Sequence, residues 1–204
     1  DPAATLKDWC RRFWHIGGWG GRFGVWVQED SLAPYGSFGN GAAMRVSPAG
    51  LMANSAAEAI ALSNRVTRIT HDHPEGMKGA AATAVAIHLA QSGSTSPAIR
   101  AEIMGRFGYD LSASVDEIRP TYRYNETCQD TVPQALVCAL EAADFEDAIR
   151  NAISIGGDSD TLAAIAGGVA EALYGVPPSI AGKARNFLPE EMKIVLDTLY
   201  EPDR

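Results

Sequence analysis

An all-α fold is what this sequence predicts. Helix start and stop signals recur along its 204 residues, strand patterning is almost absent, and the small-residue run around Thr161–Ala170 suits a tightly packed central helix.

Each element follows from local chemistry. Ser55 followed by Glu58 has capping-box spacing and opens a run from Ala56 to Arg68 with apolar residues at helical intervals. Pro74 suits the first turn of the next helix, which is alanine-rich and reaches about Gln91, with Gly93 as its stop. Ser96-Pro97 opens another, ending near Phe107-Gly108. Thr131-Val132-Pro133 reads as the start of a helix running through Cys138 and Leu140 to Ala143, after which Asp144 caps Phe145 to Ile153. Two more span Asp160 to Leu173 and Pro189 to Tyr200. Tyr122–Tyr124 is too short to build a sheet. Gly17 to Gly24 and Tyr35 to Gly41 read as irregular loops, which at that length in a compact domain are usually functional. With no repeat or linker to divide it, the chain is expected to be one domain over residues 1–204.

A formal net charge of -8 argues against general nucleic-acid binding, since a phosphate backbone is repelled on average. It leaves room for a phosphorylated metabolite held by a metal ion or by backbone N–H groups. The three cysteines, Cys10, Cys128 and Cys138, have no zinc-like spacing and read as reduced thiols of a cytoplasmic protein. No apolar run is long enough for a bilayer, so no membrane association is expected. The first residue is Asp1 rather than Met, and no leader pattern follows it.

Three segments carry chemistry. In Ser154-Ile155-Gly156-Gly157-Asp158-Ser159-Asp160-Thr161, two acids and a hydroxyl meet where a loop turns into a helix. Residues i and i+2 point apart within a helix, but two glycines ahead of it free the backbone to bring Asp158 and Asp160 together. With Thr161 they make an all-oxygen set suited to a hard cation. The alternative is plain helix capping, for which Ser and Asp are the usual residues. In Ser37-Phe38-Gly39-Asn40-Gly41, small residues bare backbone N–H groups in an anion-binding manner; Asn40 suits a ribose or phosphate oxygen and Phe38 a base, unless the segment is only a capped glycine loop. In Thr70-His71-Asp72-His73-Pro74-Glu75, either a polar cap or a histidine donating to a ligand is expected. Zinc would need further ligands at regular spacing. Trp9, Trp14, Trp19 and Trp26 read as core and loop anchors, and His88 as a satisfied core residue.

Together SFGNGAAMRVSPAG (37–50), THDHPEGMKGAAATA (70–84) and AISIGGDSDTLAAIAGGVAEALYG (152–175), in this order, resemble the ADP-ribosylglycohydrolase family, and RFGYDLSASVDEIRPTY (106–122) resembles its short bacterial branch. The resemblance implies a compact orthogonal helical bundle around a two-metal site, usually Mg²⁺ or Mn²⁺, with Asp158, Asp160 and Thr161 as metal ligands. It implies that Ser37, Phe38, Gly39, Asn40 and His71 bind substrate. The implied chemistry is release of ADP-ribose from a modified protein or small molecule by water activated at the metal beside Asp158 and Asp160, with no side chain singled out as catalytic. The family also carries a Thr-Asp-Asp segment near its start that completes the metal site. That triplet does not occur here, so half of the ligand set is expected to be missing from these 204 residues. The alternative is a relative that binds ADP-ribose without turnover.

Overall fold

The computed structural model describes residues 1–200, which form helices joined by turns and loops, with no strand among them. Its centre is α6. In chain order the helices are α1 (Pro2–Arg12), α2 (Gly21–Gln28), α3 (Gly41–Met44), α4 (Ser47–Leu51), α5 (Ala56–Thr67), α6 (Pro74–Gln91), α7 (Ser96–Phe107), α8 (Val115–Ile118), α9 (Cys128–Glu141), α10 (Phe145–Ser154), α11 (Ser159–Tyr174), α12 (Pro178–Arg185) and α13 (Glu190–Leu199).

Helix α6 is buried on all sides from Gly79 to Ile87, as a central helix must be, and packs against α3, α4, α5, α7, α9 and α11. Small residues let those helices come close. A Cβ on Gly79 would lie 2.7 Å from Cys128 Cβ of α9, and one on Gly50 of α4 would lie 2.7 Å from Ile87 Cβ. One on Gly168 of α11 would meet Ser47 Oγ at 2.5 Å. Substituting Gly50 or Gly79 forces helices apart, whereas Gly168 needs Ser47 to turn its hydroxyl away. This tight packing fixes the helix starts that carry the polar segments.

Several expected boundaries hold. Ser55 Oγ accepts from Glu58 N, Thr95 precedes α7, and Asp144 caps α10 through Asp147 N. The box at Ser55 is only half formed, because Glu58 reaches back to the backbone N–H of Asn54 rather than that of Ser55. Two expectations are corrected. Helix α9 begins at Cys128, not at Thr131, and Pro133 lies inside it. Asn125 accepts from Thr127 N and from its hydroxyl, organising the start one turn before the proline, where the missing N–H costs a single bond. The stretch Gly17 to Gly24 is not all loop: α2 starts at Gly21 and buries Trp26 and Val27 in a second apolar cluster with Ala3 and Cys10. That tryptophan is a core anchor, held by Lys7 over its ring and by a bond from Nε1 to Ala33 O. Arg11 and Arg22 donate to backbone carbonyls of residues 27, 29 and 35, which gives them structural work. His88 is satisfied by Ala53 O.

Candidate active site

The three polar segments meet. Loop Ser37–Asn40 crosses the start of α9, where Cys128 N donates to Phe38 O and Asn40 N to Glu126 O, and its Ser37 N donates to Thr70 O. The expected row of free N–H groups is mostly occupied: Gly39 N bonds Ser37 Oγ and Asn40 N bonds Glu126 O. Those of Phe38 and Gly41 have no partner among the described residues.

Asn40 is the joint between the loop and α11. Its buried side chain donates from Nδ2 to Asp158 Oδ2 at 2.7 Å and to Thr131 Oγ1 at 3.2 Å. A carboxylate only accepts, so the amide nitrogen must be the end that faces it. Asp158 occupies the N-cap position of α11 but makes no capping bond with its side chain. Simple capping therefore does not account for it. The backbone that turns it toward Asn40 comes from Gly156 and Gly157, both left-handed at φ 76° and 70°. Gly157 is doubly constrained, since a Cβ there would lie 2.5 Å from Tyr122 Cε1.

Desolvation raises the Asp158 pKa first of all, Asp160 beside it adds to the rise, and the Asn40 amide and Thr161 hydroxyl oppose it. Two acids and a hydroxyl thus share one corner, with Thr161 buried and Asp160 exposed. Among the described residues no third carboxylate, histidine or cysteine completes a metal-binding group with them.

His71 lies 5% exposed, with Thr70 Oγ1 2.7 Å from its Nδ1. Its Nε2 faces the glycine loop: Cβ atoms on Gly39 and Gly41 would each lie 3.6 Å from it. Burial pushes its pKa down to about 3, and the nearby Arg45 and Arg22 add to the shift, so the ring is neutral at pH 7. His73 has a different task. Its Nδ1 accepts from Glu75 N as the cap of α6, and its ring lies 5.1 Å from that of Phe38, which is 39% exposed. The two histidines do not form a zinc pair.

Tyr122 and Thr131 join the site without having been singled out, and Arg45 and Thr70, which lay in the singled-out segments without a role of their own, gain one. Tyr122 packs on Gly157 with its hydroxyl buried. Arg45 Nε donates to Gly41 O at 2.8 Å and Nη1 to Thr70 Oγ1 at 3.1 Å. The spacing of R45 in GNGAAMR, one helical turn past Gly41, was the available signal for that brace. Nothing in the sequence pairs Tyr122 with Gly157, because the contact spans distant segments. Burial raises the pKa of Cys128 and Cys138 to about 12 and raises that of Cys10, which disfavours the thiolate at all three. A shallow cleft lined by Trp14, Trp19 and Val25 shares no residue with this site.

An all-helical body of this kind is the fold of an ADP-ribosylglycohydrolase. The model of that family, ADP-ribosylglycohydrolase, matches residues 2–201, and the chain belongs to it. ADP-ribosylhydrolase ARH3 of Homo sapiens is 26% identical over 213 residues, covering 81% of this chain and 58% of its own length. ADP-ribosylarginine hydrolase Tri1 of Pseudomonas putida is 29% identical over 145 residues, 68% of this chain and 39% of its own length. A solved structure described as an ADP-ribosylglycohydrolase-related protein complex superposes with a TM-score of 0.71 at 25% identity, covering 98% of this chain and 74% of that one. The chain spans about half the length of the curated relatives it matches.

Proposed function

We propose that residues 1–204 are one ADP-ribosylglycohydrolase domain that binds the ADP-ribose of a modified protein or small molecule and hydrolyses its glycosidic bond. The bond from Asn40 to Asp158 carries this reading. It holds the loop suited to a diphosphate against the corner suited to a cation, so one extended ligand spans both. Phe38 offers a partly exposed ring for the base, Ser37 to Asn40 follow the diphosphate, and His71 Nε2 reaches it between the two glycines.

Asp158, Asp160 and Thr161 offer a cation-compatible donor set. Asp158 is desolvated beside a second acid, a strain that a divalent ion relieves, and all three donors are oxygens. Mg²⁺ usually keeps several waters and takes one or two carboxylates, so this set suits one hydrated Mg²⁺ or Mn²⁺ rather than a closed two-ion site. When bound there, such an ion supplies Lewis-acid grip on ribose hydroxyls and a more acidic water. The chain's own part is to orient the sugar through Asn40-braced Asp158 and to keep negative charge near an oxocarbenium-like centre.

A second reading, ADP-ribose binding without turnover, draws on the lack of a third carboxylate, histidine or cysteine ligand among the described residues. Incubation with an ADP-ribosylated arginine or serine peptide and Mg²⁺ or Mn²⁺ separates the two. Release of ADP-ribose that Asp158→Ala abolishes supports hydrolysis, and calorimetric binding of ADP-ribose with no release supports the second. No helix of the described residues is long and apolar enough to cross a membrane. The free, buried thiols suit a reducing compartment, the cytoplasm, and the net charge disfavours general nucleic-acid binding.

A further inference from the structure

Arg45, Thr70 and His71 form a chain of hydrogen bonds behind the glycine loop, and its direction can be worked out from donor and acceptor chemistry. A guanidinium has donors and no acceptor, so Thr70 Oγ1 must accept from Arg45 Nη1 at 3.1 Å. The same oxygen lies 2.7 Å from His71 Nδ1. Thr70 is fully buried, and its hydroxyl has no other partner among the described residues. If the imidazole donated to Thr70, the hydroxyl hydrogen would be buried without an acceptor, and the group would bear its full desolvation penalty. If Thr70 donates instead, its hydroxyl has both a donor and an acceptor partner, and Nδ1 carries no proton. The neutral ring then has its proton on Nε2, the nitrogen that faces Gly39 and Gly41.

We propose that Arg45 and Thr70 are positioning residues that lock His71 in its Nε2–H tautomer, making it a one-way donor to an acceptor oxygen lodged between Gly39 and Gly41. Arg45 serves both sides of this contact. Its Nε holds Gly41 O at 2.8 Å while its Nη1 sets the threonine, and Phe23 supports the guanidinium at 5.5 Å. The loop and the histidine that faces it are thereby held in register by one side chain. An anion or hydroxyl oxygen is accepted at Nε2, whereas a ligand that must donate there is rejected. The identity of the ligand as ADP-ribose rests on the reading given above; the tautomer does not.

Long-range ¹H–¹⁵N NMR of the full chain labelled at histidine tests this, with His71→Gln assigning one ring among the four. At pH 7 the wild-type spectrum is expected to show His71 Nδ1 unprotonated and Nε2 protonated. Thr70→Val should shift the ring away from that tautomer and Thr70→Ser should retain it. A wild-type ring protonated at Nδ1 overturns the proposal, and this holds even if Thr70→Val fails to fold. A Thr70→Val spectrum identical to wild type also overturns it. ADP-ribose calorimetry on the same samples should show affinity falling about tenfold in Thr70→Val and recovering in Thr70→Ser. A tautomer shift with unchanged affinity overturns the ligand contact alone. Loss of the expected tautomer with ADP-ribose still bound overturns the lock while leaving the loop as the binding site.

Discussion

Asn40 Nδ2 lies 2.7 Å from Asp158 Oδ2, a bond across 118 positions that fastens the glycine loop to the N-cap of α11. Breaking it tests the construction of the site. Asn40→Asp sets a carboxylate against Asp158 and should cost about 2 kcal/mol or more at pH 7, measured by urea unfolding. Part of the loss should return below about pH 5, because one acid of the pair then takes a proton and gives back the donor.

Asp158 is kept at an energetic disadvantage. Its pKa is raised, so the folded state holds its charge less readily than the unfolded chain does. Asp158→Asn, which removes the charge and keeps an oxygen for Asn40, should therefore raise the melting temperature of metal-free protein. The same variant should lose the response to Mn²⁺. In wild type, Mn²⁺ at about ten times its Kd should add about 1.4 kcal/mol of stability, read as an upward shift in melting temperature.

Two adjacent glycines separate backbone strain from contact. Gly156 and Gly157 both have positive φ, but only Gly157 has a neighbour in the way, Tyr122. Gly156→Ala should cost about 1–2 kcal/mol, the penalty of the left-handed conformation. Gly157→Ala should cost about 3 kcal/mol or more, because Tyr122 must also move. Equal losses in chemical denaturation would contradict that contact.

His71 should leave a mark on stability against pH. Its folded pKa is about 3, while an unfolded histidine titrates near 6.5. Between those values the unfolded chain binds the extra proton, so its contribution to stability is fully present above about pH 6.5 and is lost as pH falls toward 3. His71→Gln should flatten this acid limb in denaturation curves measured across that range.

Much of this architecture was legible because it is local. Ser55, Pro74, Ser96-Pro97 and Asp144 announce helices through backbone N–H groups a few residues away, and the structure places α5, α6, α7 and α10 there. Pro133 misled because a proline usually opens a helix; here Asn125 and Thr127 nucleate α9 a turn earlier. Glycine density hid α2, whose burial of Trp26 and Val27 against α1 outweighs the propensity penalty of Gly21 and Gly24. In the site, Asp158, Asn40 and His71 stood out as unusual residues in unusual loops. Tyr122 and Thr131 are ordinary residues whose meaning arises only when distant segments meet, and Thr70, although next to His71, gains its meaning only when Arg45 reaches it.

The central claim is that loop and acid corner act as one ADP-ribose site, and Gly39→Ala examines it most directly beside Asp158→Ala. A methyl on Gly39 makes only ordinary contacts, the nearest at 3.4 Å to Ser37 Oγ, so the fold should survive while the space before His71 Nε2 fills. Titration calorimetry of ADP-ribose with Mn²⁺ present should then show binding by wild type and affinity reduced about tenfold or more in each variant. Wild type that fails to bind, or binding that neither variant weakens, would contradict the account.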